Sequence, residues 1–77
     1  MPTVSIAGFK FRFYSSDVHE PPHVHVIHDD NEAKIRLDPV QLEYNRGYNR
    51  AALNRVLKLT EQNQTRLLET WHEYFDR

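Results

Sequence analysis

The sequence predicts an α+β fold: a small antiparallel sheet of three to four strands, with a C-terminal long helix (or two helices) packed on one face. Three observations predict it. Between residues 9 and 37 apolar side chains recur at every second position, the period of a strand with one buried side. Short stretches of Pro, Gly, Asp and Asn, the residues of tight turns, break these runs. From about Asn49 the apolar spacing lengthens to three and four, the period of one helix face.

In "GFKFRFYSS", Phe9, Phe11 and Phe13 share one face while Lys10, Arg12 and Tyr14 share the other. Val4 and Ile6 carry the opposite parity, so the chain shifts phase at Ala7-Gly8 through a bulge or a tight turn. "SSDVHEPP" reads as a loop that Pro21-Pro22 hold extended. "HVHVI" alternates again, Val24 and Val26 inward, His23, His25 and Ile27 outward. "DDNE" reads as a hairpin turn, since Asp and Asn tolerate positive φ. "AKIRL" puts Ala33, Ile35 and Leu37 inward and Lys34 and Arg36 outward, and Asp38-Pro39 stops it. "QLEY" adds a short fourth strand, and "NRGYN" is a turn.

Beyond it Leu53, Val56, Leu57, Thr60, Gln64, Leu67, Leu68, Trp71, Tyr74 and Phe75 form a helical stripe with Asn49 as N-cap. The phase runs unbroken through "TEQNQ", which favours one helix of about 25 residues; two helices meeting near Asn63 are the alternative. Residues 1–77 read as a single domain, 1–48 sheet and 49–77 helical.

At 77 residues only one thin core is available. The absence of cysteine excludes disulfides and thiolate metal sites. No apolar run approaches the ~18 residues of a membrane span, and the N-terminus lacks a signal-peptide layout. The expectation is a soluble, cytoplasmic protein. A net charge of −1 argues against an overall basic nucleic-acid binder and leaves room for a local basic face.

The alternation supplies such a face. Opposite the helical layer it collects Lys10, Arg12, Tyr14, His23, His25, Lys34 and Arg36, while Asp17, Glu20, Asp29, Asp30 and Glu32 are all expected in loops. That is a candidate phosphate-backbone surface, although solvent-facing Lys and Arg also suit any one-sided antiparallel sheet. Arg46, Arg50, Arg55 and Lys58 cluster where the helical part starts, and Glu69, Glu73 and Asp76 near its end, both against the macrodipole.

His23 and His25, two apart on a strand, point the same way with Cα atoms about 6.5–7 Å apart. Three readings stay open. The pair takes a metal with His19 or Asp17; it performs acid–base chemistry on RNA, one imidazole taking the 2′-hydroxyl proton and the other protonating the leaving oxygen; or it has a structural or non-catalytic binding role. No metal or cofactor is expected, because no fourth ligand stands at a standard spacing and Pro21-Pro22 stiffen the approach from His19. His28 has the opposite parity, and His72 is a surface or packing residue on the helix.

The run Pro21, Pro22, His23, one apolar residue, His25, Val26, followed by "AKIRL" and the ending Leu67-Leu68-Glu69-x-Trp71, resembles a family of small bacterial proteins catalogued as domain of unknown function 4160. The similarity runs over nearly the whole chain. Its members usually carry a glycine in the turn after the histidine strand, where this chain has "HDDNE". The resemblance implies one half of a small gene pair of toxin–antitoxin type, with a cognate small protein encoded by a neighbouring gene. The expected function is RNA engagement through the basic, histidine-bearing face, as a candidate metal-independent endoribonuclease. His23 and His25 are then the acid–base residues, and Lys10, Arg12, Tyr14, Lys34 and Arg36 the nucleic-acid contacts. The rival is a non-enzymatic protein-interaction or nucleic-acid-binding module, an antitoxin or regulator, using the same face or an edge strand.

Overall fold

The computed structural model describes residues 2–75, the side chains of Ser16 and Asp17 excepted. Five strands form one antiparallel sheet in chain order: β1 (Thr3–Ile6), β2 (Phe9–Arg12), β3 (His23–His28), β4 (Asn31–Leu37) and β5 (Val40–Arg46). A 3₁₀ turn, Ser15–His19, lies between β2 and β3, and α1 (Arg50–Gln62) and α2 (Gln64–Phe75) follow the sheet. The sheet therefore has five strands rather than the expected three to four. The phase shift at Ala7-Gly8 is a two-residue turn with both residues at positive φ (51° and 86°), so Val4 and Ile6 become a strand of their own. The run from Val40 is also a full seven-residue strand.

Each turn explains a register. Asp29 takes a positive φ of 54° in the two-residue turn between β3 and β4. That turn pairs His28 with Asn31 and Ile27 with Glu32, so Glu32 is a strand residue and not part of a loop. The Asp38-Pro39 peptide is cis, in the turn between β4 and β5. Between Lys34/Ile35 and their partners the ladder slips: Lys34 faces Tyr44 and Ile35 faces Leu42, leaving Glu43 as the extra residue of a β-bulge.

Phe9, Phe11, Phe13, Val24, Val26, Ala33, Ile35 and Leu37 are buried from the sheet, and Tyr48, Val56, Leu67 and Trp71 close over them. The Tyr48 hydroxyl donates to the Val26 carbonyl at 2.9 Å inside this layer. Asn49 caps α1 as expected, its Oδ1 accepting from the Ala52 amide at 2.8 Å. The helical part is two helices: Asn63 ends α1, its amide and its side-chain Nδ2 both donating to the Leu59 carbonyl. Gln64 Nε2 then ties the start of α2 to the Leu37 carbonyl at the end of β4 (2.7 Å). Among the described residues no helix is long and apolar enough to cross a membrane.

Candidate functional site

The sheet face away from the apolar core carries Thr3 and Ser5 on β1, and Lys10 and Arg12 on β2. His23, His25 and Ile27 continue it on β3, and Glu32, Lys34 and Arg36 on β4. The bulge adds Tyr44, which simple alternation from Leu42 would not predict. Every candidate of the sequence reading is therefore on or next to this face, but two expectations about it fail.

The first failure concerns burial. Neither histidine was expected in the core, yet His23 is 1% and His25 8% exposed. Because α2 is a separate helix held at the end of the sheet, Trp71 meets side chains from both faces there. Its ring lies 6.4 Å from Phe13 and 5.3 Å from His23, centroid to centroid. His23 Nδ1 donates to the Pro21 carbonyl at 3.0 Å, an acceptor only, so that nitrogen carries the proton. The His23 and His25 rings are 5.3 Å apart, and Tyr14 meets His25 edge-on at 4.7 Å. His23 is thus built into the interior beneath Trp71.

The second failure concerns charge. The face was expected to hold no strand carboxylate, whereas Glu32 on β4 and Glu43 at the bulge both lie on it. Glu32 Oε2 accepts from the Tyr44 hydroxyl at 2.6 Å and stands 3.2 Å from His25 Nδ1. The Tyr44 hydrogen bond holds the Glu32 carboxyl below its ordinary range against the opposing effect of burial, with His25 and Arg46 adding to it. Burial first, then the bond to Glu32, push the Tyr44 phenol up to about 12. With Glu32 ionised, His25 Nδ1 is the donor and Nε2 the basic nitrogen of the ring. Arg46 lies over the Tyr44 ring, its Cζ 5.0 Å from the centroid.

Lys34 and Arg36 are also engaged. Lys34 Nζ lies 2.7 Å from Glu20 Oε1 and 3.1 Å from Glu43 Oε2, and Arg36 Nε donates to Glu43 Oε1 at 2.6 Å. The Glu20 bond, aided by Glu43, raises Lys34, while the Arg36 bond, aided by Lys34, lowers Glu43. The Lys34 side chain is only 14% exposed. The face therefore divides. Its β3–β5 half is neutralised internally. Its β1–β2 half sets Lys10 and Arg12 beside Thr3 and Ser5, with no carboxylate in ion-pair contact among the described residues.

Arg12 is the cross-strand partner of His25, so the cationic half meets the Glu32-held imidazole at its inner margin. Glu32 and Tyr44 were not singled out from the sequence. A two-residue Asp29-Asp30 turn would have found Glu32, but nothing in "VQLEYNR" announces the bulge. Among the described residues no three His, Asp or Glu side chains are grouped to hold a metal ion, and the Asp17 side chain lies outside the description.

The family described as Domain of unknown function (DUF4160) matches residues 8–72, most of the chain, and the protein belongs to that family. No curated protein and no solved structure matches it.

Proposed function

We propose that this DUF4160 protein is of toxin–antitoxin type and engages RNA through the β1–β2 half of its open sheet face. One observation carries the reading: among the described residues Lys10 and Arg12 have no carboxylate in ion-pair contact, and Arg12 is the cross-strand partner of His25, whose Nδ1 is held by Glu32. Two strand residues separated by one lie about 6.7 Å apart, a spacing that lets them follow an extended phosphate backbone. His25 is the general base of this reading. Its Nε2 takes the 2′-hydroxyl proton as that oxygen attacks the adjacent phosphorus, the bond to the 5′-oxygen breaks, and the imidazolium returns the proton to the departing oxygen. Glu32, 3.2 Å from Nδ1, fixes the orientation of the ring. His23 packs the site from behind, its Nδ1 proton given to the Pro21 carbonyl.

The test is expression of the isolated gene in a bacterial host with RNA integrity as readout. His25→Ala should lower cleavage by roughly 10²–10⁴, while binding of single-stranded RNA by the purified variant persists. A second reading, the non-enzymatic interaction or regulatory module, is favoured by the internal pairing of Lys34 and Arg36 and by the place of β1 and β5 as the edge strands of the sheet. A wild-type protein that neither slows growth nor degrades RNA decides for that module, with the neighbouring gene product as its partner.

A further inference from the structure

The two edge strands of the sheet differ. β5 carries the Glu43 bulge and ends on Arg46, features that discourage a further strand. β1 has neither: Thr3-Val4-Ser5-Ile6 holds no charge, and its register with β2 runs without a slip. Among the described residues no strand lies beyond it. One contact sets its hydrogen-bonding parity. The Phe13 amide donates to the Pro2 carbonyl at 3.2 Å, so Pro2, Val4 and Ile6 turn their backbone groups toward β2. Thr3 and Ser5 therefore turn theirs outward, and both residues are exposed.

That edge is complementary to itself. With a two-fold axis through Val4, Thr3 stands opposite the second copy's Ser5, and Ser5 opposite the second copy's Thr3. At both positions the outward N–H and C=O groups exchange hydrogen bonds. Pro2 falls opposite the second copy's Ile6, where no N–H is needed. Opposed residues share a face, so Pro2, Val4 and Ile6 of both copies form one apolar row. That row lies on the side where Val4 and Ile6 already pack half-buried against the core. We propose that β1 pairs with β1 of a second copy in this register, joining two sheets into one.

The charges permit it. β1 carries none, and the β2 strands of the two copies lie three strand spacings apart, about 14 Å, beyond the ~8 Å screening length at physiological ionic strength. Pairing brings together the halves of the open face that hold Lys10 and Arg12. Each row then runs from His25 and Arg12 through Thr3 to the second copy's Ser5 and Lys10. The dimer stands apart from the RNA reading; only the use of this doubled cationic surface rests on it.

Sedimentation velocity on the full chain, over a concentration series without nucleic acid, tests the pairing. Wild type should shift from monomer to dimer as concentration rises. Ser5→Pro removes an outward N–H and no bond to β2, so it should stay monomeric and keep the wild-type circular-dichroism spectrum. Two charge variants check the register and carry the test if the proline variant fails to fold. Thr3→Lys with Ser5→Lys opposes like charges across the axis and should abolish the dimer, whereas Thr3→Lys with Ser5→Glu opposes unlike charges and should restore it. A wild-type chain that stays monomeric throughout, or a dimer that survives Ser5→Pro or Thr3→Lys with Ser5→Lys, overturns the proposal. So does a Thr3→Lys, Ser5→Glu chain that stays monomeric where wild type dimerises. A monomer that instead forms a mixed complex with the neighbouring gene's product, lost in Ser5→Pro, assigns the edge to that partner and also overturns it. RNA binding by a chain that never dimerises removes the dimer and leaves the RNA reading standing; a dimer that binds no RNA does the reverse.

Discussion

Glu32 joins three strands, and its removal has a calculable cost. The Tyr44 hydroxyl and His25 Nδ1 converge on the same oxygen, Oε2, at 2.6 and 3.2 Å. Hydrogen bonds to a charged group contribute about 1.5–3 kcal/mol each. The Glu32 side chain is 30% exposed, so water replaces part of each bond when the carboxylate goes. Glu32→Ala should then cost about 2 kcal/mol in all, lowering the melting midpoint of a domain this size by about 8–16 °C. Glu32→Gln keeps an oxygen where both donors point and loses only the charge, so it should cost about half as much.

The acid limb separates charge from shape. The Tyr44 bond, seconded by His25, sets the folded Glu32 pKa below 4.5. Its contribution is therefore complete above the unfolded value and is lost as pH falls through the lower folded one. Wild type should lose stability on acidification below about 4.5, and Glu32→Gln should lose less, because it keeps the part of that slope supplied by Glu43 and gives up its own. Thermal melts followed by circular dichroism from neutral to acid pH measure both quantities. A Glu32→Ala protein that melts with wild type, or a Glu32→Gln protein with the full acid slope, refutes the reasoning.

Two further outcomes follow from burial. His23→Ala should cost about 2–3 kcal/mol in chemical denaturation, since it empties space beneath Trp71 and orphans the Pro21 carbonyl; an unchanged midpoint would return His23 to the surface. Tyr48, raised to about 12 by burial and secondarily by Glu32, contributes stability that is complete below pH 10.0 and lost as pH rises through the folded value. Tyr48→Phe should cost about 1 kcal/mol at neutral pH and weaken the alkaline loss, as read from melts between neutral and strongly alkaline pH.

The inward set was legible because the Phe, Val and Ile positions obey period two within each strand, and the Ala7-Gly8 phase shift and the Asn49 cap are local chemistry. What escaped was non-local. The bulge at Glu43 shifts the phase of β5 in mid-strand, so Leu42 stays inward while Tyr44 turns outward, and only pairing with β4 reveals it. The break at Asn63 leaves the apolar phase intact, because Thr60, Leu67 and Trp71 remain inward across it. Its consequence, Trp71 covering His23, is what moved that histidine from the expected surface into the interior. The site was half legible for the same reason: alternation placed the cations correctly, while the carboxylates that neutralise Lys34 and Arg36 come from a proline-led loop and a bulge.

The division of the open face is tested most directly by two charge reversals, assayed for single-stranded RNA binding across a salt series and for thermal stability. Lys10→Glu with Arg12→Glu should abolish binding and leave the melting midpoint close to wild type, since neither cation is ion-paired among the described residues. Lys34→Glu with Arg36→Glu should lower the midpoint, because the new carboxylates would face Glu20 and Glu43. Any RNA binding that the second variant retains should keep the wild-type salt slope, about −0.7 per phosphate neutralised. Full RNA affinity in the Lys10/Arg12 variant, at a salt concentration where wild type binds, would contradict the account.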